Sequence, residues 1–181
     1  MKYVRVMDGL TSNEGGFTYK INEVNETTNW FPNEKDPKKV GGYNYSTEDK
    51  ILRWLHRGDT IYDVEIPSNA ETKLINKDKG IYRTNKIIVK NPRPINDNLI
   101  LELYKNNTLP DNILYECLVT LLYKKHLNIV KIIIEDKINK TNVQEAIKVF
   151  ENHIKNHGEE FDYNKLWDDA KTVYNLLKEK M

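Results

Sequence analysis

Two carboxylates stand two residues apart in "DTIYDVEIP", at Asp63 and Glu65. On an alternating strand that spacing puts both on one face, which is the placement a carboxylate pair needs. Arg5 and Arg83 sit in other strand-like runs, and Ser46 follows the aromatic strand end at Tyr45. His153 and His157 are four apart and would share a helix face, where the simplest role is to complement the negative helix end before Gly158. The single cysteine, Cys117, lies in an apolar run, so neither a disulfide nor a cysteine-based metal site can be built within one chain. No phosphate-binding Gly-Lys-Ser/Thr loop and no Gly-x-Ser-x-Gly elbow occurs.

The elements that would position these residues divide the 181-residue chain in two. Residues 1–91 read as a sheet-rich domain. "YVRVM" and "FTYKI" alternate around "NEGG" and predict a hairpin from Tyr3 to Ile21. "NWFPNEKDPKKVGG" is a loop whose Trp30 and Phe31 are expected to fold back onto the core. Gly41 and Gly42 mark a turn before the short strand at Tyr43 and Tyr45, and Ser46 with Asp49 reads as a cap for a helix that ends at Gly58. Strands over Ile61–Ile66 and Ile81–Val89 follow, their alternating tyrosines pointing to sheet packing rather than to a base-stacking platform. After the proline-marked "KNPRPI", residues 92–181 read as four or five short amphipathic helices. Thr141 with Gln144 predicts a capping box, and Asp162 a cap for the last helix. The fold expected is α+β: a small mixed or antiparallel sheet domain followed by a helical bundle.

Composition narrows the function classes. Hydrophobic residues make up 39%, charged residues 30%, and the net charge is +1, which provides no global field for nucleic acid or anionic lipid. No apolar run approaches the about 20 residues needed to span a bilayer, and "MKYVRVMDGL" lacks the apolar centre of a signal peptide. The expected location is the cytoplasm.

Two resemblances add to this. The order Arg5, then Tyr45-Ser46-Thr47, then Asp63-Val64-Glu65 looks like the motif order of ADP-ribosyltransferases. That likeness implies NAD as cofactor, with Arg5 on its phosphates, Ser46 ordering the pocket and Glu65 on the ribose. The second covers about residues 3 to 90. Gly16-Phe17-Thr18-Tyr19, Gly41-Gly42-Tyr43-Asn44-Tyr45-Ser46, Glu65-Ile66-Pro67 and Arg83-Thr84-Asn85-Lys86-Ile87 resemble, in order, the N-terminal domain of giant-virus ankyrin-repeat proteins and of related phage and bacterial proteins. "YKKHLNIVKIIIE" is similar to the second helix of an ankyrin-type repeat, with Lys125 in place of its glycine. This likeness implies a viral or phage setting and a host-protein partner, and carries no activity with it. Read from the residues alone, the Gly41–Pro67 unit is scaffold, locked by Asn85 and the flanking tyrosines, with Arg83 and Asn85 expected to bond the glycine loop. The leading expectation is a non-catalytic protein that binds a host protein in the host cell interior, with inhibition of a host defence system as one form. An NAD-using transferase and a nucleic-acid binder or mimic are the alternatives, the last calling for Lys35, Lys38, Lys39, Arg53 and Arg57 on one surface.

Overall fold

A computed structural model describes residues 2–11, 17–156 and 161–181. Gly16, His157 and Gly158 lie outside these. The fold is α+β, with one seven-stranded antiparallel sheet and five α-helices among the described residues. The chain forms two compact units, Met1–Leu109 and Pro110–Met181. The division falls one helix later than the expected 91/92 boundary, which lies inside a strand.

The first unit contains β1 (Tyr3–Met7), β2 (Val24–Glu26), β3 (Tyr43–Thr47), a 3₁₀ segment over Glu48–Arg57, β4 (Thr60–Glu65), β5 (Thr72–Asn76), β6 (Ile81–Thr84), β7 (Lys86–Pro94) and α1 (Asp97–Lys105). The strand order is β2-β7-β4-β1-β3-β6-β5. This order forces curvature. In a flat sheet β7 and β6 would lie four strand spacings apart, roughly 19 Å. Only Asn85 separates them in sequence, and one residue bridges at most about 7 Å. The sheet therefore curls on itself, and the run expected as one strand, Ile81–Val89, is bent at Asn85 so that its halves complete opposite ends of the sheet.

The inner face is rich in tyrosine. Met7, Tyr19, Tyr43, Tyr45, Tyr62, Val64, Ile87 and Val89 form one buried cluster, with Tyr3 and Tyr82 packed against it. Tyr45 stacks on Tyr82 at 5.3 Å and meets Tyr3 edge-on at 5.1 Å, both favourable ring geometries. Burial pushes the phenols of Tyr43 and Tyr45 up to about 12, so both are neutral.

The outer face of β1 carries Val4 and Val6 toward the 3₁₀ segment, whose Ile51, Leu52 and Leu55 are buried. Ser46 does not cap that segment. The capping position is Thr47, and the Ser46 hydroxyl donates to the Thr47 carbonyl at 3.2 Å. The hairpin expected over Tyr3–Ile21, whose turn lies outside the described residues, is not a pairing of β1: that strand pairs with β3 and β4, and residues 17–21 meet the chain after it through the Thr11–Thr18 bridge and Tyr19 N–H to Leu10 O at 2.8 Å, with Ile21 bridged to Val89. "KNPRPI" continues β7 instead of ending it. A register shift opposite Ile61–Asp63 takes Asn91 (φ +50°) and Pro92 out of the ladder, where a missing N–H costs nothing.

The second unit is built around α2 (Asp111–Tyr123), whose residues Ile113 to Leu122 are buried apart from Glu116. Cys117 is among them, its thiol donating to the Ile113 carbonyl. Helices α3 (Leu127–Lys137), α4 (Val143–Lys155) and α5 (Asp168–Glu179) pack around it. The expected caps shift. Asn96, not Asp97, caps α1. The Thr141–Gln144 box does not form, because Asn142 precedes α4 and Thr141 bonds back to Asn139. Asp162 caps a short 3₁₀ turn, Tyr163–Lys165, and α5 starts later.

Candidate functional site

The residues with the most suggestive chemistry surround a cleft between β1 and β3. These strands pair only at Tyr3–Thr47 and Val4–Ser46. Beyond that they diverge, and the Arg5 guanidinium bridges the gap by donating to the Asn44 carbonyl while lying 5.0 Å over the Tyr19 ring. The 3₁₀ segment walls the cleft. With three residues per turn, Ile51, Trp54 and Arg57 stack along one face, and all three line it together with Ser46 and Ile81. Arg53 and Arg57 lie 4.8 and 5.8 Å from the Trp54 ring. The cavity is about 70 Å³, room for a few waters or one small polar group.

Arg5 and Ser46 both line this cleft, but Glu65 does not join them. Arg5 is registered with Tyr62 and shares its face of β4, so Asp63 and Glu65 alternate to the other side. Ser46, registered with Val4, is on that other side and is buried. Glu65 is half exposed, pairs with Lys90 Nζ at 2.6 Å, and is not part of the cleft lining. Glu65 therefore lies apart from the cleft that Arg5 and Ser46 line. Asp63 belongs to a charge network instead: Lys2 bonds Glu48 and Asp63 at 3.0 and 3.1 Å, and Arg93 reaches the same two carboxylates at 2.5 and 3.4 Å. Burial raises the Asp63 pKa, but bonds from Asn91 and Lys2 and the charges of Lys2 and Arg93 outweigh it, so the carboxyl is held below its ordinary value.

The second candidate is the loop that leads into Gly41-Gly42. Its backbone is fixed at both ends and in the middle. Phe31 N–H donates to Val40 O at 2.8 Å and Gly42 N–H to Asn29 O at 2.7 Å. Val40 is fully buried. Lys73 Nζ donates to the carbonyls of Pro32 and Glu34, both at 2.7 Å. Trp30 Nε1 donates to Glu71 at 2.8 Å, and Arg83 donates to the Gly41 carbonyl at 3.0 Å.

The glycines are required here. Gly41 and Gly42 have φ of +71° and +73°, and a Cβ on Gly42 would come within 2.6 Å of the Trp30 ring and 2.7 Å of the Thr84 carbonyl. Of the two residues expected to lock this turn, Arg83 touches it directly. Asn85 acts one step away: its Oδ1 accepts from Glu71 N–H at 2.8 Å, and Glu71 in turn holds Trp30. Thr84 Oγ1 spans the bend, donating toward Glu71 O and Lys86 O, and Lys86 pairs with Glu26 at 3.1 Å. No protein-family model, no curated protein and no solved structure matches this chain.

What this framework presents is Phe31. It is 57% exposed, not folded back onto the core as its type suggests, while Trp30 is half-buried against Gly42. A shallow groove lined by Trp30, Phe31, Pro32, Glu34, Lys35 and Lys39 runs beside it. Sequence reasoning missed Phe31 because an isolated aromatic in a proline-rich loop carries no periodicity. The signal available was Pro32 and the glycine pair, which mark a loop with few conformations.

Proposed function

We propose that the protein is a non-catalytic interaction protein that binds another protein through the loop around Phe31. One observation supports this reading above the others: a large exposed aromatic held by a loop that is hydrogen-bonded along its length. Aromatic anchors dominate protein interfaces, and an anchor that is already ordered loses little entropy on binding. In the viral or phage setting that the resemblance implies, the partner is a host protein, and blocking a defence system is one form the action takes.

The experiment is a quantitative pull-down from a candidate host extract with the full chain, Phe31→Ala and Ile132→Ala. Ile132 is also exposed, at 41%, but lies on α3. A partner retained by wild type and Ile132→Ala and lost with Phe31→Ala, at unchanged melting temperature, is the expected result. Equal retention by all three proteins would remove the loop from the reading.

A further inference from the structure

Resting on that reading, we infer that the partner surface is acidic: a segment carrying several carboxylates beside an apolar side chain that seats against Phe31. The loop holds similar numbers of acids and bases in sequence, yet the structure uses them differently. Glu34 folds its carboxylate onto its own backbone, accepting from the N–H groups of Lys35 and Asp36 at 2.9 and 3.3 Å. Asp36 accepts from Lys38 N–H at 2.9 Å. Both carboxylates act as turn-forming caps.

Lys35, Lys38 and Lys39 are all exposed, and none forms an ion pair among the described residues. Lys73 is different: its ammonium is turned onto the Pro32 and Glu34 carbonyls and serves the brace. With three exposed ammonium groups against two carboxylates held on their own backbone, the loop is net positive by one charge, and Lys35 and Lys39 line the groove that Phe31 borders, beside Glu34. Like potentials repel across an interface and opposite ones steer encounter, so this surface selects for carboxylates. Nucleic acid would also answer to lysine and an aromatic ring. The three lysines form one short group, enough for a few carboxylates but not for the run of phosphate contacts from which nucleic-acid affinity is built.

The test is selection of a random twelve-residue peptide library on the full chain, with counter-selection on Phe31→Ala and a parallel titration of a thymidine twenty-mer. The expected outcome is Phe31-dependent peptides with net negative charge around an apolar residue. Affinity of the best peptide should fall about tenfold in the Lys35→Glu/Lys38→Glu/Lys39→Glu variant at low salt, with the gap shrinking at high salt as exposed charges are screened. Circular dichroism checks that the variant is folded. Phe31-dependent peptides that are neutral or basic would overturn the acidic partner while leaving the interaction reading standing. Phe31-dependent binding of the oligonucleotide with no peptide enrichment would overturn both.

Discussion

The braced loop and the β1–β3 cleft are built from the same residue types and use them in opposite ways. Each has a tryptophan and an arginine that bonds a backbone carbonyl. In the cleft these groups face inward. Arg5 replaces a missing ladder bond at Asn44, and Arg53 and Arg57 cover Trp54. In the loop, Trp30 and Arg83 hold the backbone so that Phe31 and three lysines face water. Residues whose types suggest chemistry are thus absorbed by the scaffold, and the exposed feature comes from a residue whose type suggests core.

That contrast can be broken most forcefully at Gly42. Gly42→Ala combines a left-handed backbone with clashes against Trp30 and Thr84, and should cost on the order of 3 kcal/mol in a denaturant titration, with partner binding lost as well. A cost under 1 kcal/mol would mean the loop can move off the glycine and is not braced. The cleft is probed by the pair Arg5→Met and Glu65→Ala. Removing Arg5 takes its donor from the Asn44 carbonyl and should cost about 2 kcal/mol. Glu65 makes one exposed ion pair, so its loss should change stability by less than about 0.5 kcal/mol. A measurable NAD affinity lost in both variants would instead restore them to one site.

A smaller effect concerns pH. Because the Asp63 carboxyl titrates below its ordinary 3.8 in the folded chain, its contribution is complete above that value and is lost as pH falls through the lower, folded value. The melting temperature should therefore fall less steeply with acid in Asp63→Asn than in wild type. Parallel curves would show that the Lys2–Asp63–Arg93 network adds nothing.

A modest gain is expected in the other unit. Lys125 has φ +66° at the end of α2, where Lys125 N–H bonds Leu122 O and His126 N–H bonds Leu121 O. That is the bonding pattern of a helix end that favours glycine, and Lys125→Gly should stabilise by up to about 1 kcal/mol. Destabilisation would show that the lysine side chain contributes more than the backbone strain.

The residues explain how much of this could be read in advance. Strands with two-residue periodicity were legible: Tyr62 and Val64 alternate as their types require, and Tyr43 and Tyr45 are core. The helical half was legible too, because amphipathic stripes survive small errors at the ends. The helix caps were not, because several polar residues stand near each start and tertiary contacts choose among them, as with Asn96 over Asp97. The bend at Asn85 was hidden because local periodicity runs straight through it. Only the pairing of β6 with β3 and of β7 with β4 reveals it. Likewise Arg5, Ser46 and Glu65 read as a set in one dimension, but the register puts Arg5 on the opposite face from Glu65.

The most direct measurement is amide hydrogen exchange over residues 29–42 in the free protein, in wild type and in Lys73→Ala. The N–H groups of Phe31 and Gly42 should be protected well above the exchange of an unstructured chain, with Phe31 protection falling in Lys73→Ala while the β1–β4 ladder is unchanged. Exchange at Phe31 and Gly42 as fast as in a free peptide would contradict the account, because Phe31 would then be the side chain of a loose loop and not an ordered anchor.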